Sequence, residues 1–232
     1  MLAIVTGSSK GIGKELVIEL AKKNYDIVIT YNTNLDKAKE LKEYIKDTYK
    51  VNVMALKCDI SKEEDIALLK KKVLEQYDKI DILINNAALA IDNSIDDKTK
   101  EEFMKVLEVN VVGTFLVTKY LYKYMDDGVI VNISSTDSVD TYNNLNIDYS
   151  VSKAGINMLT KVFAYDFKKI KVIGVMPNWT NTESVKEMNP EFLKSELERI
   201  GQDKLEEPDE VAKKIVELAF DDNITTGEIR RI

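Results

Sequence analysis

The chain of 232 residues is long for one small domain and short for two, and its 44% hydrophobic and 31% charged residues are typical of a globular protein with a core. Its net charge of −7 comes from lysines scattered among acidic residues, which excludes the concentrated basic face that binds nucleic acid. The chain contains no histidine, which excludes every catalytic or metal-binding scheme that needs an imidazole.

Short, almost continuously apolar stretches alternate with longer, charged amphipathic stretches along the whole chain. The short stretches predict buried parallel strands, and the amphipathic ones predict helices. In chain order, the predicted elements are strand Leu2–Thr6, helix Gly11–Lys23, strand Asp26–Tyr31, helix Leu35–Tyr49, strand Asn52–Cys58, helix Lys62–Gln76, strand Ile80–Asn85, helix Thr99–Met125, strand Gly128–Ser134, helix Tyr149–Lys168, strand Lys171–Met176, helix Pro208–Phe220 and strand Glu228–Arg231.

This βαβ series runs without a linker, a repeat or a change of composition, so we expect one α/β domain over residues 1–232. The predicted fold is a Rossmann-type doubly wound parallel sheet with helices on both faces. Ligands of such sheets bind beyond the carboxyl ends of the strands. The segments Glu183–Glu207 and Val139–Ile147 are expected to cover the two sides of the substrate pocket.

The chain shows no targeting or membrane signal. Its N-terminus lacks a basic region before the apolar residues, and no apolar run is long enough to span a bilayer. The single cysteine, Cys58, excludes an intramolecular disulfide and is interpreted as a small buried hydrophobic residue. We therefore expect a cytoplasmic protein with no membrane, nucleic-acid or metal partner.

A glycine-rich turn follows the first predicted strand, with Gly7, Gly11 and Gly13 in a GxxxGxG spacing. Glycines let the backbone turn tightly and approach a phosphate, and the helix that follows offers free N–H groups. A plain tight turn is the alternative interpretation of such a loop. Its position between a strand and an amphipathic helix favours a nucleotide site.

Tyr149 and Lys153 lie four residues apart on a predicted helix, so their side chains emerge on the same face. A phenol has a pKa near ~10, and a neighbouring ammonium favours the phenolate and lowers that pKa. The pair therefore predicts a general acid/base. A solvated helix face is the alternative, and it is less favoured because Ser135 at a strand end precedes the pair.

The chain resembles the short-chain dehydrogenase/reductase family, and within it the 3-oxoacyl-acyl-carrier-protein reductases and related carbonyl reductases. Seven motifs stand in the family's order over essentially the whole chain. They are TGxxxGxG at Thr6–Gly13, Cys58-Asp59-Ile60, Asn85-Asn86-Ala87-Ala88, Asn110 in VNVVGTF, Ser135, Tyr149 with Lys153 in YxxxK, and Pro177–Thr182.

The resemblance implies roles for particular residues. Tyr149 would protonate the carbonyl oxygen, Ser135 would position that oxygen, Lys153 would bind the nicotinamide ribose and tune Tyr149, and Asn110 would hold a water on the proton path. Asp59 would hydrogen-bond the adenine. The full set of cofactor-binding residues is Gly7, Ser9, Lys10, Gly11, Ile12, Tyr31, Asn32, Asp59, Ile60, Asn86, Ala87, Ala88, Tyr149, Lys153, Pro177, Thr180 and Thr182.

Three alternatives stay open for these residues. Ser134 competes with Ser135, although the resemblance favours the second serine. Asn110 is also interpretable as a residue that caps or kinks its helix, and Asp59 as a turn residue or helix N-cap.

The charges near the second strand indicate the cofactor. The strand ends in Ile29-Thr30-Tyr31-Asn32-Thr33, without the carboxylate that accepts the ribose hydroxyls of NAD. Lys10 stands where NADP-dependent relatives place a basic residue against the 2′-phosphate. The sequence therefore predicts a preference for NADP(H), with NAD(H) left open as a second cofactor.

The sequence departs from the family pattern at two positions in the cofactor motifs. Ala88 replaces the last glycine of NNAG, which is a small-for-small change. Asn178 replaces the glycine after Pro177, and asparagine is the residue that best tolerates unusual backbone angles after glycine.

The predicted function is the transfer of a hydride between NADP(H) and a small-molecule carbonyl or alcohol substrate, with an acyl thioester included. The alternative is a non-catalytic NAD(P)-sensing protein, but such regulators resemble enzymes that have lost the Tyr or the Lys. An extended-branch epimerase would need a different glycine spacing and a C-terminal substrate domain.

The helices that contain Phe103–Met125 and Tyr149–Phe167 are apolar on more than one side. A helix that covers one face of a sheet needs only one apolar stripe, so a second stripe predicts burial against another chain. We expect a homodimer or homotetramer.

Overall fold

The computed structural model describes residues 1–232 and contains one parallel seven-stranded sheet. The strands are β1 (Leu2–Val5), β2 (Asp26–Tyr31), β3 (Val53–Lys57), β4 (Ile82–Asn85), β5 (Val129–Ile133), β6 (Lys171–Met176) and β7 (Ile229–Arg231). The helices are α1 (Gly11–Lys22), α2 (Leu35–Tyr49), α3 (Glu63–Leu74), α4 (Lys100–Leu107), α5 (Thr114–Leu121), α6 (Ile147–Asp166), α7 (Glu183–Lys186), α8 (Pro190–Ile200) and α9 (Pro208–Phe220). The predicted Rossmann-type doubly wound fold is confirmed.

The strand order is β3-β2-β1-β4-β5-β6-β7, and every neighbouring pair is parallel. The chain moves outward from β1 to β3, returns to β4 beside β1, and then moves outward in the other direction. The carboxyl ends of β1 and β4 therefore form the switch point, where open α/β sheets bind ligands. The residues that follow these two strands, Thr6–Gly13 and Asn86–Ala88, carry two of the predicted cofactor motifs.

Alternating residues of the strands pack into two hydrophobic layers, one on each face of the sheet. Ala3 and Val5 of β1 belong to a cluster of 26 buried residues that also includes α1, α2 and α9. Leu2 and Ile4 point the other way, into a cluster of 17 buried residues with α3 and α5. Both faces of the sheet are covered, which is why its strands are apolar at nearly every position.

The single helix predicted over Thr99–Met125 is interrupted in the structure. Thr99 and Glu102 form a reciprocal capping box that starts α4. A π-helical segment, Glu108–Gly113, separates α4 from α5, and a 3₁₀ turn follows at Tyr122–Tyr124. The Asn110 side chain in this π-helical segment bonds the Leu89 backbone, as is common for π-helical turns at functional sites.

Candidate active site

A cavity of about 1120 Å³ lies beyond the carboxyl ends of the strands. Its volume suits a dinucleotide together with a small molecule. All but one of the predicted site residues line it, namely Gly7, Ser9, Lys10, Gly11, Ile12, Tyr31, Asn32, Asp59, Ile60, Asn86, Ala87, Ala88, Ser135, Tyr149, Lys153, Pro177, Thr180 and Thr182. The exception is Asn110, which is buried behind the wall.

The glycine-rich loop is held against the end of β4. Gly7 has a φ of 62°, in the left-handed region that favours glycine. The Asn86 Nδ2 donates to the Thr6 and Gly7 carbonyl oxygens at 2.9 and 3.1 Å. A Cβ on Gly13 would lie 2.5 Å from that same Nδ2, so only glycine allows this approach.

The N-terminus of α1 presents free donors beside this loop. The first amide of the helix with a backbone acceptor is that of Lys14, which donates to the Lys10 carbonyl oxygen at 3.2 Å. The amides of Gly11, Ile12 and Gly13 therefore remain available, and the helix dipole favours an anion there. This donor set fits the pyrophosphate of a dinucleotide.

Asp59 and Asn32 meet at the ends of β3 and β2. The Asp59 Oδ1 accepts hydrogen bonds from the Ser61 amide at 3.0 Å and the Ser61 hydroxyl at 2.7 Å. Burial acts to raise the pKa of Asp59, but these hydrogen bonds, with contributions from Lys62 and Asn32, outweigh it and hold the pKa below its usual value. Asp59 is therefore a carboxylate with hydrogen-bonding capacity left on Oδ2.

The two serines after β5 have different environments. Ser134 is 2% exposed and its hydroxyl donates to the Lys153 carbonyl oxygen at 3.0 Å. Ser135 is partly exposed, and its Oγ accepts from the Asp137 amide at 3.1 Å. Because Ser135 uses its oxygen as an acceptor, its hydroxyl proton is free to donate to a ligand in the cavity.

Tyr149 and Lys153 occupy adjacent turns of α6. The Lys153 Nζ lies 5.3 Å from the centre of the Tyr149 ring and donates to the Ile133 carbonyl oxygen at 2.7 Å. Lys153 is 3% exposed, and burial lowers its pKa to about 8, although the charge of Asp137 acts in the opposite direction. The amine therefore titrates near physiological pH.

The expected depression of the Tyr149 pKa does not appear in this structure. Burial raises the pKa of the phenol, the charges of Asp137 and Asp92 raise it further, and only the nearby Ser135 hydroxyl lowers it. The prediction was wrong in direction because it considered the ammonium alone and not the desolvation of the phenol. At neutral pH the phenol is protonated.

Asn110 anchors a loop. Its Oδ1 accepts from the Leu89 amide at 2.7 Å, and its Nδ2 donates to the Leu89 carbonyl oxygen at 2.8 Å and to the Ser152 hydroxyl at 2.9 Å. Both Nδ2 hydrogens are used within the protein. The side chain fixes the loop between β4 and α4 to the helix that carries Tyr149.

Asn178 adopts none of the positive φ angles expected for the residue that replaces the family glycine. Its Oδ1 instead accepts from the Thr136 hydroxyl at 3.0 Å, and the residue lines the cavity.

The segment Glu183–Glu207 is largely helical, in α7 and α8. Its residues that line the cavity are Glu183, Ser184, Val185, Glu187 and Met188.

Sequence reasoning missed two features around Tyr149. Asp137 lines the cavity, and a buried ion pair joins Lys98 to Asp148 at 3.1 Å. Asn146, which also lines the cavity, lies in the segment Val139–Ile147 that is expected to cover the substrate pocket. Asp137 had a signal, since it is a carboxylate two residues after the predicted catalytic serine. Lys98 and Asp148 are fifty residues apart and had none.

Comparisons with known proteins assign the family. Residues 1–192 match the family model for short chain dehydrogenases. The chain is 34% identical over 218 residues to glucose 1-dehydrogenase 2 of Bacillus subtilis, covering 90% of this chain and 84% of that one. It is 31% identical over 234 residues to the 3-oxoacyl-[acyl-carrier-protein] reductase FabG of Aquifex aeolicus, covering 98% and 94%.

Among solved structures, a short chain dehydrogenase from Burkholderia cenocepacia in complex with NADP superposes with a TM-score of 0.91 at 26% identity, over 100% of this chain and 95% of that one. The chain belongs to the short-chain dehydrogenase/reductase family of oxidoreductases, as its motifs predicted. None of its helices has the length and apolar character needed to cross a bilayer.

Proposed function

We propose that the protein is an NADP(H)-dependent oxidoreductase that moves a hydride between the nicotinamide and a small carbonyl or alcohol substrate. The observation that carries the proposal is that Ser135, Tyr149 and Lys153 line the same cavity as the glycine-rich loop. Bound nicotinamide supplies or accepts the hydride. The chain itself binds the substrate, orients it and moves a proton.

In the reducing direction, Tyr149 is the proton donor. Its raised pKa keeps the phenol protonated at neutral pH, so the proton is present when the carbonyl oxygen gains charge. The free hydroxyl proton of Ser135 hydrogen-bonds the same oxygen and holds it against the phenol. Both groups then favour the transition state over the neutral carbonyl.

Lys153 links this proton donor to the cofactor. The family pattern assigns its amine to the nicotinamide ribose, and a pKa of about 8 lets the amine hold or release a proton near neutral pH. Asn110 would hold the water on the proton path through an oxygen atom, because both hydrogens of its Nδ2 are already donated to Leu89 and Ser152. The adenine is assigned to Asp59.

The preference for NADP(H) rests on charge near the end of β2. Lys10 lines the cavity there with Tyr31 and Asn32. Asp36, the first carboxylate after β2 in the sequence, does not line the cavity. Glu183 is the nearby carboxylate, and it is paired with Lys37 at 2.7 Å. A 2′-phosphate would therefore meet a lysine without an unpaired carboxylate beside it. The relative in complex with NADP supports the same choice.

The test of this proposal compares NADPH with NADH on a panel of ketones, aldehydes, sugar lactones and β-ketoacyl thioesters, followed at the nicotinamide absorbance. We expect a higher kcat/KM with NADPH. Lys10→Ala should lower kcat/KM for NADPH by about 10-fold to 100-fold, as expected for one charge-assisted contact, and leave that for NADH unchanged. Lys14→Ala is the matched control, because Lys14 lies in the first turn of α1, just after Lys10, and does not line the cavity.

Equal kcat/KM for the two cofactors would contradict the electrostatic argument. The alternative function, a non-catalytic NAD(P)-sensing protein, predicts cofactor binding without turnover of any member of the panel. Trp179 lines the cavity and is the only tryptophan, so its fluorescence reports cofactor binding independently of turnover.

A further inference from the structure

Asp137 is a buried carboxylate on the wall of the cavity that carries Ser135. It lies in the 3₁₀ turn Thr136–Ser138, is 9% exposed and lines the cavity. Its Oδ1 accepts one hydrogen bond, from the Thr141 hydroxyl at 2.8 Å. No donor of the protein bonds its Oδ2. This oxygen is therefore an unused acceptor beside the reacting groups.

No cation of the protein forms a salt bridge with this carboxylate. The charges of Arg199 and Lys153 act to lower its pKa, but the Arg199 guanidinium is engaged with Glu196, at 2.7 and 3.1 Å, and with the Thr141 carbonyl oxygen at 2.8 Å. Burial outweighs these charges and raises the pKa of Asp137. A largely buried carboxylate without a salt bridge is costly, and a donor on a ligand in the cavity would offset that cost.

Asp137 does not assist the acid/base chemistry of Tyr149. Its charge raises the pKa of the phenol and so opposes formation of the phenolate. A residue that served only to help Tyr149 exchange its proton would lower the pKa of the phenol. Its position next to Ser135 suits recognition of a group on the substrate close to the reacting carbon.

A second unpartnered polar group lies on the same wall. Asn146 is 6% exposed, lines the cavity three residues before Tyr149, and makes no side-chain hydrogen bond. Its Oδ1 is buried and unsatisfied. Buried amides are normally hydrogen-bonded, and an exception at a site indicates a missing partner. The Asp137 Oδ2 and the Asn146 Oδ1 are thus two acceptors, on residues that line the cavity, to which no donor of the protein bonds.

We propose that Asp137 is a specificity-determining residue, supported by Asn146, and that it binds a hydrogen-bond donor on the carbon next to the reacting carbonyl or alcohol. This inference rests on the proposed function. The substrate class is a small hydroxy- or amino-substituted carbonyl compound. Acyl thioesters that carry phosphates are disfavoured, because the carboxylate repels them and their acyl chain leaves its acceptor unpaired.

The experiment measures kcat/KM with NADPH for dihydroxyacetone, aminoacetone, butanone and acetoacetyl-coenzyme A, in the wild type and in Asp137→Asn. We expect the wild type to prefer dihydroxyacetone or aminoacetone over butanone by about 10-fold to 100-fold, the range of one charge-assisted hydrogen bond. The variant should lose most of this preference and gain on acetoacetyl-coenzyme A. A larger loss on aminoacetone identifies an ammonium donor, and a larger loss on dihydroxyacetone identifies a hydroxyl.

Asp140→Asn is the matched control, because it makes the same change in the same loop at an exposed side chain that does not line the cavity. It should keep the wild-type preference. Asn146→Ala should lower the ratio of kcat/KM for dihydroxyacetone to that for butanone. Binding of the four compounds to the NADP⁺-loaded protein, followed by Trp179 fluorescence, gives the same comparison without turnover. The role of Asp137 in specificity would be overturned by a wild type that prefers butanone or acetoacetyl-coenzyme A, or by an Asp137→Asn variant with unchanged kcat/KM ratios. Either result would leave the proposed function intact. Selective binding of dihydroxyacetone or aminoacetone without turnover would instead overturn only the proposed function.

Discussion

Among the single residues of the site, Lys153 carries a buried charge that is unfavourable for folding. Lys153 is 3% exposed, and its Nζ contacts a backbone carbonyl rather than a carboxylate. Burial lowers its pKa from 10.5 to about 8. The shift means that the folded protein binds the proton on this amine more weakly than the unfolded chain does. The proposed catalytic lysine therefore lowers the stability of the folded protein at neutral pH.

Lys153→Met should remove this cost in the cofactor-free protein. Below pH 8 the amine is charged in both the folded and the unfolded state, so the full cost is present in the wild type. Between pH 8 and 10.5 the unfolded chain holds more protons, so wild-type stability rises with pH relative to the variant. The stability advantage of the variant should therefore shrink by on the order of 3 kcal/mol across this window.

Denaturant unfolding at a series of pH values measures this difference. Lys161→Met is the control, because Lys161 lies on the same helix and is exposed. Its difference from the wild type should not vary with pH. A Lys153→Met difference that stayed constant from pH 7 to 10.5 would show that the amine is not desolvated as described.

At the scale of elements, an ion pair fixes the start of α6. The Lys98 Nζ lies 3.1 Å from the Asp148 Oδ2, and the two side chains are 4% and 0% exposed. Lys98 also bonds the Ile91 carbonyl oxygen. The Asp148 Oδ1 accepts from the Tyr149 amide at 2.9 Å. The pair therefore joins the loop between β4 and α4 to the turn that carries the proposed proton donor.

Lys98→Met should lower the free energy of unfolding by about 3–5 kcal/mol, because it leaves the Asp148 carboxylate buried without its cation. The double variant Lys98→Met/Asp148→Asn removes both charges and should be more stable than the single variant. Lys100→Met, at an exposed position two residues away, should change stability by less than about 0.5 kcal/mol. Additive effects of the two substitutions would contradict the coupling.

Sequence patterns predicted the elements that depend on local periodicity, and missed features set by distant contacts. The strands and α9 could be predicted because their apolar runs and Pro208 act locally. The π-helical segment could not be predicted, because the apolar pattern of Thr99–Met125 is that of one continuous helix and the Asn110–Leu89 contact joins residues far apart in the chain. The direction of the Tyr149 pKa also depends on burial by the folded chain. Spacing and motif order correctly grouped the candidate site residues that line the cavity, all but Asn110, whereas Asp137 had only a weak signal in the sequence.

At the scale of the whole molecule, one surface remains apolar. Five apolar side chains on the π-helical segment, α5 and α6 are between 39% and 60% exposed, namely Val112, Phe115, Val151, Met158 and Val162. The sheet already covers the other side of these helices. Exposed apolar side chains on helices whose other side is already buried indicate a contact between chains. We propose that these helices pair with those of a second copy.

Light scattering on a size-exclusion column should therefore give a mass at least twice the 26.4 kDa of one chain at micromolar concentration. Val162→Asp should shift the protein toward the single-chain mass, because it buries a charge at the contact. Leu68→Asp makes the same type of change at a side chain on α3 that is 52% exposed, and should leave the mass unchanged. A wild-type species of 26.4 kDa would refute this arrangement.

The central claim is that the Tyr149 hydroxyl donates the proton to the substrate oxygen, and Tyr149→Phe tests it most directly. The substitution removes one hydroxyl and keeps the ring, so NADPH affinity, measured by Trp179 fluorescence, should stay near that of the wild type. Tyr44→Phe, on an exposed side chain of α2, is the matched control and should keep full activity. Tyr149→Phe should lower kcat by about 10²-fold to 10⁴-fold, and a variant that kept more than about a third of wild-type kcat would contradict the assignment of Tyr149 as the proton donor.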